Sequence, residues 1–275
     1  MRWPASPWRA VKVALGISYR GQAYRGWQSQ PDGLTVQDKL ESALACFAGL
    51  PAGQLLRTQC AGRTDAGVHA LNQVVHIETE LQREPFSWVR GTNRFLPDDI
   101  AVQWARVMPE DFHARFGAIG RRYVYVLRES PARPALEAGL VGWSFRPLDG
   151  ERMRDATTLL IGEHDFSAFR SAECQAASPV KTLRAIAITR RGAYWRFEFD
   201  ASAFLHHMVR NIMGCLVAIG AGVRDRAWLA DVLAARDRTH AAPTFAPDGL
   251  YFVGPYYDPI FAVPDAPAEL AWLPG

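Results

Sequence analysis

Lysine is scarce in this chain of 275 residues: Lys12, Lys39 and Lys181 are the only three among 31 basic residues, so arginine supplies the other 28. Because 28 acidic residues nearly balance them, the formal net charge is only +3. Arginine offers a planar fork that matches phosphate and stacks on bases, whereas lysine is a hydrated point charge. The imbalance therefore predicts either a nucleic-acid partner or a genome whose codons favour arginine, and the positions of the arginines must decide.

Closely spaced cysteines and long apolar runs are missing as well. The four cysteines form no C-x-x-C pair, which excludes a zinc knuckle and a disulfide framework. The longest apolar stretch, residues 212–223, is about half a membrane span, and prolines interrupt the N-terminus where a signal peptide needs an apolar run. We therefore expect reduced cysteines, no membrane segment and a cytoplasmic location.

The usual signatures of several enzyme classes are also absent. The chain has no G-x-x-x-x-G-K-[ST], G-x-G-x-x-G, G-x-S-x-G or H-E-x-x-H motif. These motifs usually mark ATP, nicotinamide, acyl-serine and zinc-protease chemistry, so the sequence gives no support to those four classes of enzyme. His164, between Glu163 and Asp165, is a weak metal candidate because adjacent side chains diverge. We expect it at a polar helix end, and we expect neither a metal nor a nucleotide cofactor.

What the chain does contain is typical of a globular α+β protein, with 49% hydrophobic and 21% charged residues. Its length suits two ordinary domains or one large one, and we divide it into a tail (1–10), an N-terminal domain (11–118) and a C-terminal domain (119–275). Apolar periodicity predicts strands over residues 11–19, 74–77, 100–107, 123–127, 182–189, 194–200 and 250–253, and helices over 35–47, 86–95, 151–161, 204–219 and 228–235.

The segment AGRTDAGVHA (61–70) is the densest cluster of unusual chemistry, in a glycine-flanked loop between two predicted strands. Asp65 alone suits a turn residue that caps nearby amides. Arg63, two residues earlier, favours a second interpretation, since a carboxylate near guanidinium groups stays ionised, as a nucleophile must. His69 is typical of a surface or packing residue.

The predicted helix 204–219 has a polar face opposite its apolar stripe, with His206, His207, Arg210 and Asn211 at three- and four-residue spacings. On a helix, His206 and His207 point about 100° apart, so we expect that they cannot chelate one ion together. Arg210 lies one turn from core positions. It either belongs to a solvated face or reaches inward to a carboxylate.

The stretch FHARFGAIGRRYVYVLR (112–128) interleaves aromatic and basic residues and has no acidic residue. Its four arginines are Arg115, Arg121, Arg122 and Arg128. Guanidinium groups suit phosphates and rings suit unstacked bases, so the pattern indicates contact with single-stranded or loop RNA. Strand alternation places Tyr123 and Tyr125 on the same face, where both also suit a core.

Nine blocks in collinear order over residues 11–253 closely resemble the bacterial tRNA pseudouridine synthase A family: YRGQAYRGWQSQ, TVQDKLESAL, GRTDAGVHA, NRFLPDDI, FHARF, RRYVYVL, CQAASPVKTL, FLHHMVRNIMG and AARDRTHAAPTFAPDGLYFV. The GRTDAG block is highly specific. Departures at Arg20, Thr92 and Gly117 lie outside the motif positions.

The resemblance implies isomerisation of uridine to pseudouridine in the anticodon stem-loop of tRNA, in family terms at positions 38, 39 and 40. It implies no cofactor and a homodimer whose two subunits together bind the RNA. The implied fold has two similar α+β halves, with antiparallel sheets flanked by helices, that meet around a basic central cleft.

The same resemblance implies roles for individual residues. Asp65 is the catalytic aspartate, Arg63 helps to hold the flipped nucleotide, the ring of Tyr123 packs on the target uracil, and Arg210 forms a salt bridge with Asp65. We also expect RNA contacts from Arg115, Arg121, Arg122 and His206.

Two other functions remain open from the sequence. An RNA chaperone would use the same basic residues, but it has no use for a carboxylate that repels phosphate. A hydrolase that releases the base needs a second carboxylate or an activated water near Asp65, and Glu78 and Asp111 are the candidates for that carboxylate.

The isomerase interpretation fits the residues. Isomerisation changes no oxidation state, which agrees with the missing cofactor motifs. Arginines and aromatic rings offset the cost of flipping a nucleotide.

Overall fold

The computed structural model of the protein describes residues 10–265, so nearly all of the predicted N-terminal tail (1–10) lies outside the described residues. The strands are β1 (Val11–Tyr19), β2 (Gln59–Cys60), β3 (His69–Thr79), β4 (Ile100–Met108), β5 (Gly120–Glu129), β6 (Gly142–Ser144), β7 (Gly162–Asp165), β8 (Val180–Arg191), β9 (Tyr194–Ala201) and β10 (Leu250–Tyr256). The helices are α1 (Val36–Ala48), α2 (Pro85–Asn93), α3 (Gly150–Thr157), α4 (Met208–Gly220) and α5 (Arg226–Ala235).

The strands form one mixed sheet in the order β4-β1-β3-β10-β5-β9-β8-β7, with β2 paired to β3 and β6 to β5. Most pairs are antiparallel, but β10 lies parallel to β3, with Tyr251 opposite His69 and Phe252 opposite Ala70. The other side of β10 pairs antiparallel with β5. The α+β fold is confirmed, and β10 joins the two expected sheets into a continuous one. The domain boundary at residue 118 stays a prediction.

Two helix groups pack on the sheet and enclose separate cores. Leu40 and Leu44 of α1 pack with Leu15 of β1 and Trp88 of α2 in the first core. The second core joins α3, α4 and α5 to β5, β8 and β9. Tyr123 of β5 packs against both cores, so the boundary between the helix groups lies over β5 and β10.

Helix α1 shows how local sequence sets an element. Leu40 and Leu44 lie on its buried face, and Thr35 Oγ1 accepts a hydrogen bond from the Asp38 amide at 3.3 Å. Gly49 ends the helix in the left-handed region at φ 67°, a conformation that costs glycine little. The prediction of a capped helix here is confirmed.

Two predicted elements differ from the structure. His164 lies in β7, where it pairs with Lys181 of β8, and the expectation of a helix end was wrong. The long helix predicted from residue 204 begins only at Met208. His207 is left-handed at φ 63°, so the chain turns sharply before the helix starts. Within residues 10–265 no helix is both long and apolar enough to cross a membrane.

Candidate active site

Asp65 lies in the loop between β2 and β3, and the neighbouring backbone fixes its position. Thr64 accepts a hydrogen bond from the Trp27 amide at 3.0 Å, and its hydroxyl lies 2.8 Å from the Tyr19 hydroxyl. Gly26, at φ 87°, is so close to the loop that an added Cβ would lie 2.7 Å from the Thr64 carbonyl oxygen. The loop is therefore held against the first core, and the Asp65 side chain points away from that contact.

Three basic side chains from the start of α4 surround the Asp65 carboxylate. Arg210 Nη1 donates a hydrogen bond to Oδ2 at 3.1 Å. His206 Nε2 lies 3.3 Å from Oδ1, and His207 Nε2 lies 3.5 Å from Oδ2. Arg210 is itself oriented by Phe245, whose carbonyl oxygen accepts from Nε at 2.9 Å. The loop from the first half and the start of α4 from the second thus meet at one carboxylate.

The environment of Asp65 keeps its carboxylate ionised. Burial raises the pKa, but the hydrogen bond from His206 and the charges of His207 and Arg210 outweigh burial, so the pKa lies below its usual range. In return, the hydrogen bond to Asp65 raises the pKa of His206. Burial lowers the pKa of His207. The carboxylate is only 16% exposed, which makes it a sequestered anion rather than a surface charge.

The sequence missed His207 as a site residue, because the helix was expected to start before it. On a helix the two imidazoles would diverge, but the left-handed backbone of His207 places both rings beside Asp65, with ring centroids 4.1 Å apart. The expectation that the two side chains diverge on a helix, which was the reason given against joint chelation of one ion, was therefore wrong. His206 contacts Asp65, and its contact with RNA stays a prediction. The one signal in the sequence was the pair of histidines directly before the apolar stripe.

The aromatic part of the site comes from β5 and β10. The Tyr123 ring lies 5.0 Å from Phe204 in an edge-on arrangement and 5.0 Å from Phe252. Burial raises the pKa of Tyr123, and the negative charge of Asp65 raises it further, so the phenol stays neutral. A neutral ring near an anionic carboxylate is suited to pack against a planar base.

Arg63 does not contact Asp65 in this structure. Its side chain is exposed, and Nη1 donates a hydrogen bond to Gln175 Oε1 at 3.2 Å. The segment around Gln175 is tied to the site, because the His206 amide donates to Cys174 Sγ at 3.4 Å. Arg63 therefore reaches from the Asp65 loop to the second half of the chain, at the outer edge of the site.

The three arginines expected to bind RNA have different environments. Arg115 is exposed, with its guanidinium 5.6 Å from the centre of the Phe116 ring. Arg122 points to the face of β5 opposite Tyr123, where it lies over the Tyr256 ring. Arg121 donates hydrogen bonds to the carbonyl oxygens of Ala61, Arg115, Ala118 and Ser202. The guanidinium of Arg121 is thus hydrogen-bonded to backbone, and Arg115 is the exposed one of the three, since Arg121 and Arg122 are half-buried.

His69 is a buried packing residue and not part of the carboxylate cluster. Its Nδ1 accepts from the Gly21 amide at 3.0 Å, its Nε2 lies 3.0 Å from the Asp248 carbonyl oxygen, and its ring stacks on Tyr251. Because Nδ1 accepts, Nε2 carries the proton. Burial lowers the pKa of His69, so the ring is neutral. Its contacts connect β3 with the segments around Gly21 and Asp248.

Neither candidate for a second acid lies near Asp65. Glu78 lies nine positions after His69 along β3, which is roughly 30 Å of strand. Lys12 Nζ lies 3.6 Å from Glu78 Oε1 and donates to the carbonyl oxygens of Glu110 and Phe112. Asp111, between those two residues, therefore lies at the same distant end of the sheet.

Asp65, His206 and His207 are also the one cluster among residues 10–265 whose ligand atoms are close enough to share a metal ion, with all three within 4.8 Å of one another. The reaction implied by the sequence needs no metal, and the same atoms serve as hydrogen-bond and charge partners. The two histidines can therefore either bind a metal ion together with Asp65 or serve as hydrogen-bond and charge partners of its carboxylate, but they cannot do both at once.

Comparison with known proteins identifies the family. The sequence profile described as tRNA pseudouridine synthase matches residues 17–117 and 156–258. The tRNA pseudouridine synthase A of Methylibium petroleiphilum is 71% identical over 264 residues, which cover 96% of this chain and 100% of that protein. The protein of the same name from Polaromonas sp. strain JS666 is 63% identical over 268 residues, with 96% and 100% covered. The chain therefore belongs to the tRNA pseudouridine synthase family of isomerases.

Proposed function

We propose that this protein isomerises uridine to pseudouridine in the anticodon stem-loop of tRNA, with Asp65 as the catalytic nucleophile. The observation that carries the proposal is the sequestered, ionised carboxylate of Asp65 beside Arg210 and the Tyr123 ring. A buried anion is costly unless the fold supplies partners. Here three basic side chains converge on it from another part of the chain.

The reaction is balanced without a cofactor. The N1–C1′ bond of uridine breaks, the base turns, and a C5–C1′ bond forms. The proton on C5 leaves and N1 gains one, so no electrons enter or leave. Three roles suit Asp65 equally: attack at C1′, addition to the base, or removal of the C2′ proton. Each requires an ionised carboxylate, which Arg210 and His206 favour.

The surroundings of Asp65 suit a flipped nucleotide. Tyr123 offers a neutral aromatic surface for the uracil, and Arg63 at the outer edge offers a guanidinium for the phosphate or the vacated stack. The hydrogen bond to Gln175 uses only Nη1 of Arg63, so the other N–H groups of its guanidinium are left for such a contact. Arg115 is the exposed arginine that we expect to contact the RNA backbone. Binding by a homodimer comes from the family resemblance and belongs to the same proposal, as does the cytoplasmic location predicted from the sequence.

The alternative functions have less support. A hydrolase would need a second carboxylate near the sugar, and Glu78 and Asp111 lie at the opposite end of the sheet. A chaperone would gain nothing from a carboxylate surrounded by Arg210, His206 and His207, because an anion there weakens phosphate binding. An isomerase uses the same carboxylate directly.

The test is release of tritium from tRNA labelled at uridine C5, with the native protein and with Asp65→Asn. The native protein should release tritium, and the amide should reduce the rate by at least roughly 10³-fold because it removes the nucleophile. Affinity for tRNA should be retained. Asp248→Asn is a matched control, since that side chain is outside the cluster, and it should keep the native rate.

Two results would contradict the proposal. Activity of Asp65→Asn near the native rate would remove Asp65 from the chemistry. Tight binding of tRNA by the native protein without tritium release would favour a chaperone. A second arm compares anticodon stem-loops in which single uridines are replaced by cytidine. Tritium release from a stem-loop whose target uridines are all replaced, and whose remaining labelled uridines lie elsewhere, would contradict the assigned position.

A further inference from the structure

We propose that Asp65, His206 and His207 form a binding site for a divalent transition-metal ion of the zinc class, and that an ion bound there inhibits the enzyme. The binding part stands on geometry alone. The inhibition part rests on the proposed role of Asp65 in catalysis.

The spacing of the three ligand atoms suits one ion. His206 Nε2 lies 3.3 Å from one carboxylate oxygen of Asp65, His207 Nε2 lies 3.5 Å from the other, and all three ligand atoms lie within 4.8 Å of one another. Zinc binds imidazole nitrogen and carboxylate oxygen at about 2.0–2.2 Å, so ligand atoms around a tetrahedral ion are roughly 3.4 Å apart. Small side-chain rotations are enough to bring the three atoms to that spacing.

The donor set also suits this class of ion. Two imidazoles and one carboxylate favour zinc, cobalt, nickel or iron over magnesium or calcium, which prefer oxygen ligands. Three protein ligands leave at least one position open for water. The ligands come from two separate segments, the 61–68 loop and the turn before α4, so the folded protein presents them together.

The backbone of His207 makes the site possible. At φ 63° this residue is left-handed and precedes α4, which turns its imidazole onto the same carboxylate as that of His206. Continuing the helix backward by one turn would separate the two rings. The site is therefore a consequence of one unusual backbone conformation.

Arg210 limits how tightly an ion binds. Its guanidinium lies 3.1 Å from Asp65 Oδ2, and its positive charge repels a divalent cation. The ion also replaces the hydrogen bond between His206 and Asp65. We therefore expect an affinity weaker than that of a structural zinc site, on the order of micromolar rather than nanomolar.

An ion at this position blocks catalysis by the proposed mechanism. It occupies the carboxylate lone pairs that a nucleophile needs, and it fills the space between Asp65 and the incoming ribose. Inhibition should therefore be competitive with tRNA and reversible with a chelator.

The binding test is titration of the untagged, full-length protein with Co²⁺, followed by visible absorption. We expect one equivalent of Co²⁺ to give the d–d bands of a nitrogen and oxygen site, and one equivalent of Zn²⁺ to remove them. His207→Asn should weaken Co²⁺ binding by about tenfold or more, since one ligand is lost. Asparagine tolerates the left-handed region, so this variant retains the backbone turn.

The matched control is His240→Asn, which removes an exposed histidine distant in sequence from the cluster and should bind Co²⁺ like the native protein. Absence of Co²⁺ bands in the native protein would overturn the proposal. So would equal binding by His207→Asn, or thiolate charge-transfer absorption, which would place the ion on a cysteine.

The inhibition test adds chelator-buffered Zn²⁺ to the tritium-release assay. Loss of activity that a chelator reverses, with competition by tRNA, is the expected result. Failure of this proposal and failure of the proposed function are distinguishable. Stoichiometric Co²⁺ binding that leaves tritium release unchanged would overturn the inhibition alone, because Asp65→Asn tests the catalytic role of Asp65 separately. Activity without any Co²⁺ site would overturn this proposal alone.

Discussion

Arg121 and Arg210 are both partly buried arginines near the boundary between the two halves, yet they have different partners. Arg121 donates to four backbone carbonyl oxygens at 2.9 to 3.2 Å. Arg210 donates to one carbonyl oxygen, that of Phe245, and to the carboxylate of Asp65. Arg121 supplies hydrogen-bond donors to the backbone of loops that meet at the end of the sheet. Arg210 helps to set the charge state of a candidate nucleophile.

The difference shows that burial and arginine content alone do not indicate function. A guanidinium bound only by carbonyl oxygens contributes to stability through those hydrogen bonds. A guanidinium bound to a sequestered carboxylate lowers the pKa of that carboxylate and prepares it for chemistry. The same conservative substitution should therefore affect stability at one position and turnover at the other.

Within this comparison, variants of Arg210 have the largest expected effects, and Arg210→Lys isolates the role of the guanidinium fork. Lysine keeps the positive charge, but its single ammonium cannot donate to both Phe245 and Asp65 in the geometry of the guanidinium fork. We expect kcat to fall by about 10²-fold, while the free energy of unfolding changes by less than about 1 kcal/mol, or roughly 2–4 °C in Tm. Single-turnover tritium release and thermal unfolding measure the two quantities.

Arg210→Ala tests the contribution of the whole side chain, whereas Arg210→Lys keeps the positive charge. The alanine variant leaves Asp65 with only the two histidines, so both the rate and the stability should fall below those of Arg210→Lys. A native rate together with a native Tm in Arg210→Ala would show that Arg210 has no role at the site.

Arg121→Lys should have the opposite profile. Lysine has three donors and no planar fork, so at least one of the four carbonyl oxygens loses its partner. We expect a loss of about 2 kcal/mol in the free energy of unfolding, or a fall in Tm of roughly 4–8 °C. Below Tm, kcat and the KM for tRNA should remain native. A selective increase in KM would instead support the prediction that Arg121 contacts RNA.

The smallest expected effect is a difference in the salt dependence of tRNA binding between variants of Arg115 and Arg122. The two side chains point in different directions. Replacing a phosphate contact reduces the slope of log affinity against log salt by about 1. We expect that reduction for Arg115→Ala, because Arg115 is exposed. Arg122→Ala should keep the native slope, since Arg122 lies over Tyr256 on the opposite face of the sheet from Tyr123. Equal slopes for the two variants would contradict the contrast.

Much of the fold was predictable from local patterns. The spacing of Leu40 and Leu44, with Thr35 at the N-cap, predicted α1, and alternating or β-branched runs predicted the longer strands. The short strands β2, β6 and β7 were not predicted. Segments of two to four residues carry no periodicity of their own, and they become strands only because a longer strand lies beside them.

The site was predicted in part. Asp65, Arg210 and Tyr123 were chosen from motifs, and the structure places Arg210 on Asp65 and the ring nearby. Arg63 was expected near the carboxylate and instead contacts Gln175. His207 was placed on the polar face of the helix but was not chosen as a site residue, because periodicity continued the helix through it. A single left-handed residue has no signal in a hydrophobic pattern, especially when it is not glycine.

The sequence by itself determined the α+β class, the main helices and strands, the chemistry available in the GRTDAG loop and the family, because all of these depend on local spacing and residue type. Only the tertiary structure decided that β10 joins the two halves into one sheet, that Arg121 is bound by backbone, and that two adjacent histidines meet Asp65. These features depend on contacts between residues far apart along the chain, such as His69 with Asp248, which are 179 positions apart. Such contacts form only when the whole chain has folded.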